Sequence, residues 1–310
     1  MTNEEFEFML QDRIAKIKAI NEQYDLEHNS YISFSGGMDS TILHHLIDIA
    51  LPNNNIPRVY ANTGIEYIKM LKYVKSIALT DKRFIIVNQT NNIKRTLQKY
   101  GYPFKSKEFS LLNLTYWNMS KKNLEVCEAY KKRINGDKDI YNPVPIQLRY
   151  LFKELPFKIS DKCCSKLKED LLHKWQVKNN KSIAITGIRR EEGGRRSNIV
   201  SCLTGKGTKF HPLVVITNEW ENDFIKRYNV QLCELYYPPY NLMRTGCKGC
   251  PYSREIQDVL NMLYKLLPKE YYQCLHLWKP VYDEYIRVGY RLKYYPHEKE
   301  LNNVSINNNK

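Results

Sequence analysis

At 310 residues the chain is long enough for one large domain with additions or for two modest ones, and a 43% hydrophobic content supplies a core. Its 48 Lys and Arg against 33 Asp and Glu give a formal charge of +15, which suits either an anionic partner (nucleotide, sulfate ester or nucleic acid) or a solvated surface of a Lys/Asn/Tyr-rich composition. No stretch approaches the roughly 20 apolar residues of a membrane span, and Met1 to Ile20 mixes acidic, basic and apolar residues unlike a signal peptide, so a cytoplasmic protein with no membrane partner is expected.

Phe6, Met9, Leu10, Ile14, Ile17 and Ile20 recur at helical spacing and predict an amphipathic helix over residues 1–25. Tyr31-Ile32-Ser33-Phe34 then reads as a buried strand running into Ser35-Gly36-Gly37-Met38-Asp39-Ser40, with apolar residues at helical spacing from Thr41 to Ile49. In a strand, tight loop and helix, two glycines let the backbone approach a ligand, and the helix start aims unpaired N–H groups and a positive end at it. An oxyanion suits that cradle, although a plain turn can also use a glycine pair. Ser35 and Ser40 add hydroxyl donors. Asp39 cannot donate to a phosphate and reads as holding a magnesium ion or capping the loop, which makes it a candidate catalytic residue.

Pro57 to Gly64 reads as a second strand ending in the polar turn Asn62-Thr63-Gly64, followed by a helix from Tyr67 to Ile77, a third strand Phe84-Ile85-Ile86-Val87 and a helix from Ile93 to about Tyr100. This alternation predicts an α/β fold with a parallel sheet whose ligands sit at the carboxyl ends of the strands. Gly101 to Lys107 is a loop, and 111–157 reads as helical segments without a chemical motif, an insertion or side layer.

In a reducing compartment the eight cysteines are unlikely to form disulfides, so clustered ones suggest a metal or redox centre. Cys163 and Cys164 open a predicted helix running toward Trp175, and after 82 intervening residues Cys247 and Cys250 follow in Gly246-Cys247-Lys248-Gly249-Cys250-Pro251. Four thiolates in two tight pairs can surround one metal centre, an iron-sulfur cluster or structural zinc, with Gly246 and Gly249 permitting the turn. Cys127, Cys202 and Cys233 lack partner spacing and read as core thiols. Between the pairs, Ser182 to Ile185 reads as a strand ending in Gly187, with Arg189, Arg190, Glu191, Glu192, Arg195 and Arg196 beyond it. Arginine forks grip sulfate and phosphate, whereas an Arg-Arg pair beside two glutamates also makes a surface ion-pair cluster. A helix from Thr217 to about Tyr228, the aromatic loop Tyr236 to Tyr240, two helices within 253–295 and a disordered tail over 296–310 complete the reading.

The Ser-Gly-Gly-x-Asp-Ser loop resembles the pyrophosphate loop of the adenine nucleotide alpha-hydrolase superfamily. Cys163-Cys164 followed by Cys247-x-x-Cys250 resembles the [4Fe-4S] pattern of the adenylyl-sulfate reductase branch of the PAPS reductase family, as Gly187-x-Arg189-Arg190-Glu191 with a later Arg resembles that family's basic signature. The resemblance spans about Tyr31 to Pro251 and implies a Rossmann-like parallel sheet flanked by helices, with added helical segments, a helical C-terminus and a PAPS reductase-like domain over 26–252. It implies nucleotide contacts from Ser33, Ser35, Gly36, Gly37, Asp39, Ser40, Asn62, Thr63, Gly64, Gly187, Arg189, Arg190 and Arg195, and a [4Fe-4S] cluster on Cys163, Cys164, Cys247 and Cys250. Two departures stand out. Asn62 replaces the family's usual aspartate before Thr-Gly, and the nucleophilic cysteine of a mobile tail is missing; Cys274, in Tyr272-Gln273-Cys274-Leu275-His276, lies in a predicted helix.

Three functions are therefore open. The first is an iron-sulfur enzyme that cleaves or activates an adenine nucleotide, with magnesium if it is ATP, for sulfur transfer to an acceptor such as a nucleic acid. The second is a thiol-dependent adenylyl-sulfate or phosphoadenylyl-sulfate reductase, with Cys274 as nucleophile and thioredoxin or another thiol as electron donor. The third is a non-catalytic nucleotide-sensing or nucleic-acid-binding module. All three expect the four-cysteine cage to stand beside the anion cradle.

Overall fold

A computed structural model describes residues 1–119, 124–137 and 142–299, with the backbone alone at 124–127 and 195. The chain divides into two compact units, Met1–Gln89 with Lys168–Gly246 and Thr90–Leu167 with Cys247–Lys310.

The first unit holds a six-stranded sheet in the order β3-β2-β1-β4-β6-β5, where β1 is Ser30–Phe34, β2 Arg58–Asn62, β3 Phe84–Asn88, β4 Ile183–Ile185, β5 Leu203–Thr204 and β6 Lys209–Phe210. All pairs are parallel except β5 with β6, so the architecture is the expected α/β sheet flanked by helices. From β1 the chain builds outward to β2 and β3 on one side, and β4 returns to the other. The switch point where ligands of open α/β sheets bind therefore lies at the end of β1. β5 and β6 are the strands the sequence did not announce, because two residues cannot display a period of two.

The N-terminal helix, Asn3–Tyr24, begins at Thr2 in a capping box with Glu5 and buries Phe6, Leu10, Ile17 and Ile20. Phe6 stacks on Trp220 at 5.2 Å within the same core as Ile32, Ile42, Leu46, Ile185 and Phe210. Each such side chain contributes about 1.5–3 kcal/mol by leaving water. Beneath β2 the fully buried Arg58 donates to Asp48 at 2.6 Å, and Arg83 grips both oxygens of that carboxylate at 2.7 and 3.0 Å. Burial alone would raise Asp48, but the Arg83 hydrogen bonds and the Arg58 charge outweigh it and hold the carboxyl below its usual range. A depressed carboxyl stabilises the fold above its unfolded value near pH 4, and that contribution disappears as pH falls through the folded value. Asp48→Asn strands a buried guanidinium, with an expected cost of about 3–5 kcal/mol at neutral pH. Urea melts from neutral to acid pH should show that the gap between variant and parent closes as the solution is acidified.

In the second unit the helices Ile93–Tyr100, Lys107–Asn118 and Leu124–Asn135 precede a 3-10 segment, Ile146–Phe152. The stretch read as a motif-free insertion thus belongs to the same unit as the cysteine pairs. Tyr102 bonds to the segment ahead of Cys163, its N–H donating to Lys158 O at 2.8 Å and its carbonyl accepting from Ser160 N at 2.9 Å. Helices Ile256–Leu266 and Pro268–Arg287 follow. Residues 296–299 form a helical turn where the sequence suggested that a disordered tail begins, and the remainder of that stretch, 300–310, lies outside the described residues. No helix among the described residues is long and apolar enough to cross a membrane.

Candidate functional site

In the first unit the loop after β1 is built as its residue types require. Gly36 adopts φ +73°, and a Cβ there would meet Met70 Sδ at 2.2 Å. Gly37 caps the helix Met38–Ala50 without a side-chain hydrogen bond. The loop amides meet hydroxyls: Ser35 N–H donates to Ser40 Oγ at 3.2 Å, Gly37 N–H to Ser35 Oγ at 3.3 Å and Met38 N–H to Tyr236 OH at 2.9 Å. Tyr236 also bonds Thr245 Oγ1 at 2.9 Å. A hydroxyl is an exchangeable acceptor, so a phosphate oxygen can take its place without a rearrangement of the backbone. Gly187, beyond β4, comes so close to this helix start that a Cβ would lie 2.9 Å from the Asp39 carbonyl. Ser33 lies inside β1 opposite Val59.

Arg189 uses all five of its side-chain N–H groups within the protein. Nε donates to Asp39 at 2.6 Å, Nη1 reaches Glu191 and the Ile216 carbonyl at 3.4 Å each, and Nη2 reaches Asn218 at 3.0 Å and Glu221 at 2.8 Å. Buried to 6% exposure, it fixes Asp39 and leaves no N–H free for a substrate. Glu221 is 1% exposed, and its Oε1 is buried with no hydrogen-bond partner. Burial first, and then the Asp39 carboxylate, push Glu221 up to about 8 against the pull of Arg189. Arg190 turns aside to the carbonyls of Ile199 and Val200. The Arg195 side chain lies outside the described residues. Arg196 carries the cation instead, paired with Glu192 and within electrostatic reach of Arg244, Asp39 and Arg189.

At the end of β2, Asn62 donates to Asn88 Oδ1 at 2.7 Å. Thr63 donates to Glu66 through its N–H at 3.0 Å and its hydroxyl at 2.9 Å, and Gly64 follows at φ +82°. Burial opposes ionisation of Glu66, but the Lys168 ammonium at 2.9 Å and these hydrogen bonds hold its carboxyl below the usual range.

All four candidate cluster cysteines belong to the second unit. Cys163 and Cys164 stand in the first turn of Lys162–Cys164, directly before a π-helical stretch, Ser165–Glu169, and their sulfurs are 4.0 Å apart. Cys247 and Cys250 flank a tight turn in which Cys250 N–H donates to the Cys247 carbonyl at 3.2 Å and Gly249 adopts φ +59°. Tyr252 OH, donating to Ser160 O at 3.4 Å, links the two segments. The pairs sense each other. A hydrogen bond with Cys164, then burial, then the charges of Cys164, Cys250 and Cys247 drive the Cys163 thiol upward, and burial followed by Cys247 drives Cys250 upward. Four thiolates so placed repel one another unless a cation lies among them, and in number and kind the donors fit an iron-sulfur cluster. As the side chains stand, no three His, Cys, Asp or Glu groups among the described residues converge closely enough to hold a metal ion.

The C-terminal helix builds this turn in a way the sequence reading missed. Trp278 Nε1 donates to the Lys248 carbonyl at 3.1 Å, Tyr282 OH to the Gly249 carbonyl, and Tyr285 OH to the Pro251 carbonyl at 2.9 Å. These donors recur at a spacing of four and then three, one face of a helix. Lys248 is buried beside Glu270 at 3.7 Å and Gln273 at 2.5 Å. Cys274 is fully buried in the same helix, its thiol pushed up to about 12, first by burial.

The sequence profile of the phosphoadenosine phosphosulfate reductase domain matches residues 29–132 and 115–253, well over half of the chain. The chain belongs to this family. A search of curated proteins found no match to this PAPS reductase-domain chain. Among solved structures it is similar to a phosphoadenylyl-sulfate (PAPS) reductase from Candida auris in a phosphate complex, at 11% identity over 76% of this chain and 91% of that one, with a TM-score of 0.39. It is also similar to the U34-tRNA thiolase NcsA from Methanococcus maripaludis with its [4Fe-4S] cluster, at 13% identity over 88% and 79% of the two chains and a TM-score of 0.39.

Tyr236, Glu221 and Asn218 gather on the Ser35–Ser40 side of this family member; Tyr236 belongs to the aromatic loop noted in the sequence, whereas Glu221 and Asn218 were not singled out there. A signal did exist for two of them: Asn218 and Glu221 are three apart in the first turn of a helix, and so share a face.

Proposed function

We propose that this PAPS reductase-family chain is an iron-sulfur enzyme that binds an adenine nucleotide at Ser35 to Ser40, cleaves or activates it, and passes sulfur to an acceptor. The observation that carries this reading is the gathering of Cys163, Cys164, Cys247 and Cys250 in one unit, with the Cys247–Cys250 turn suspended from the carbonyl-binding face of Trp278, Tyr282 and Tyr285. The four thiolates would hold a [4Fe-4S] cluster, which when bound supplies Lewis-acid or electron-transfer chemistry at sulfur.

The chain's own residues do the rest. The hydroxyls of Ser35, Ser40 and Tyr236 yield the loop amides to phosphate oxygens, and the helix start stabilises their charge. Asp39, held by Arg189, orients the loop, and magnesium would arrive with ATP as its counterion. Arg196 is the guanidinium of the group best able to meet a phosphate, since Arg189 is fully engaged. The reductase alternative needs a mobile nucleophile, and a fully buried Cys274 inside a 20-residue helix does not supply one.

Anaerobic purification should yield protein with on the order of four iron and four sulfide per chain. It should release pyrophosphate from ATP, lose that activity in Asp39→Ala and retain it in Cys274→Ser. Sulfite release from adenylyl sulfate that vanishes in Cys274→Ser would instead identify the reductase, and nucleotide binding without turnover would identify a sensing module.

A further inference from the structure

The positive charge of this protein is not shared evenly between its units. By sequence, the cysteine-bearing unit holds 26 Lys and Arg against 14 Asp and Glu, a net +12, whereas the unit with the phosphate loop holds 22 against 19, a net +3. A nucleotide needs only its local cradle, so the long-range positive field belongs to the other unit.

Within that unit Arg291, Arg133 and Arg254 each come within electrostatic reach of Lys105, with Glu108 as the opposing carboxylate. They are built in rather than scattered. Lys105 and Arg291 both adopt left-handed backbone, at φ 57° and 62°. Arg291 Nη1 ties them together by donating to the Lys105 carbonyl at 2.6 Å, and it also reaches the carbonyls of Tyr252 and Ser253 at 3.3 and 3.4 Å. Lys105 N–H donates to Tyr285 OH at 2.7 Å, so the cluster shares a support with the Cys247–Cys250 turn. Its cations lie on rings: the Arg291 guanidinium is 5.1 Å from the centre of Tyr290, and Lys105 Nζ is 5.7 Å from that of Phe109. Arg133 pairs with Glu108, and Arg254 is exposed.

Holding like charges together costs free energy that a polyanion returns. Of the Arg291 guanidinium only Nη1 is held by the carbonyls, and the cations rest on separate supports rather than converging on one small anion; spread cations beside aromatic faces suit a chain of phosphates carrying planar bases. We propose that Lys105, Arg133, Arg254 and Arg291 bind the phosphodiester backbone of a nucleic acid, the acceptor class of this enzyme. The acceptor role rests on the function proposed above; the binding does not.

The test is fluorescence anisotropy of the full chain with short labelled single-stranded RNA, single-stranded DNA and duplex DNA, the three arms identifying which polymer is preferred. With four phosphates neutralised on a single strand, affinity should fall on the order of 50-fold between about 50 and 200 mM salt. Arg254→Gln and Lys105→Gln should each weaken binding roughly 5- to 10-fold and flatten the salt slope by about one contact. Lys16→Gln with Lys18→Gln, exposed on the near-neutral unit, should leave binding unchanged. The proposal is overturned by an unchanged salt slope in the first two variants, by equal weakening in the control, or by no binding at the lowest salt. Melting temperatures of all variants exclude misfolding. Pyrophosphate release without nucleic-acid binding would overturn this inference alone; nucleic-acid binding without nucleotide turnover would overturn only the function proposed above.

Discussion

Arg189→Met should destabilise the protein by about 3–5 kcal/mol and abolish nucleotide turnover, because the side chain lost is the counter-charge of a buried acidic group. Asp39, Glu191 and Glu221 all face that one guanidinium, and Glu221 is 1% exposed. Removing the fork leaves the buried Glu221 with neither water nor a cation, and frees Asp39 at the first turn of the helix Met38–Ala50. The pH dependence distinguishes this role from that of an anion clamp. Burial and Asp39 already raise Glu221 to about 8 with Arg189 present, and its loss raises it further. A carboxyl raised in the folded state holds its proton there while the unfolded chain has released it. Stability therefore declines as pH climbs from the unfolded value near 4.3 through the folded value. The deficit of Arg189→Met should thus be smaller at pH 5 than at pH 8, and Glu221→Gln added to it should recover part of the loss at the higher pH. A variant that weakens nucleotide binding while melting like the parent at both pH values would mean that Arg189 serves the ligand and not Asp39.

The expectation that Arg189 grips substrate shows where sequence reading stops. The alternative of an ion pair with the neighbouring glutamates holds in part, since Nη1 reaches Glu191, but its shorter contacts lie 150 residues upstream at Asp39 and in the helix that begins at Asn218, groups no local pattern connects to it. Local features were legible. The turn from Ser35 to Ser40 declares itself through two glycines between an apolar strand and an apolar helix, and the helix Ile93–Tyr100 has the bounds expected of it. Strands of two residues were not, since Leu203–Thr204 and Lys209–Phe210 owe their conformation to each other and to β4. Nor could spacing reveal that the stretch from Thr90 to Leu167 shares a unit with the chain from Cys247 onward, and so carries the charge imbalance with it. Helical spacing can place Trp278, Tyr282 and Tyr285 on one face, but that their indole and hydroxyls hold three carbonyls of the cysteine turn depends on where that turn lies.

Gly246 and Gly249 looked equivalent in sequence, flanking the first member of the Cys-x-x-Cys turn, yet substitution should separate them. Gly249 sits at φ +59°, and a Cβ there would lie 2.5 Å from Tyr282 OH, 2.8 Å from Cys274 Sγ and 3.0 Å from Cys274 Cβ. All three atoms belong to residues of the helix Pro268–Arg287, and the first is the hydroxyl that donates to the Gly249 carbonyl, so the added methyl strains the backbone and displaces the hydrogen bond together. Overpacking at about 1–3 kcal/mol and a left-handed alanine at roughly 1 kcal/mol give an expected loss of about 2–4 kcal/mol for Gly249→Ala. Around Gly246 nothing lies within 4 Å, and Gly246→Ala should melt within about 0.5 kcal/mol of the parent. Because Gly249 stands between Cys247 and Cys250, its displacement should also lower the iron retained after anaerobic reconstitution, whereas Gly246→Ala keeps it. Adding Cys274→Ala removes the sulfur from the clash and should return part of the stability lost by Gly249→Ala, a non-additivity that a thermal-melt double-mutant cycle measures directly. Equal losses for the two glycine variants, or strict additivity in the cycle, would show that the C-terminal helix does not set the geometry of the cysteine turn.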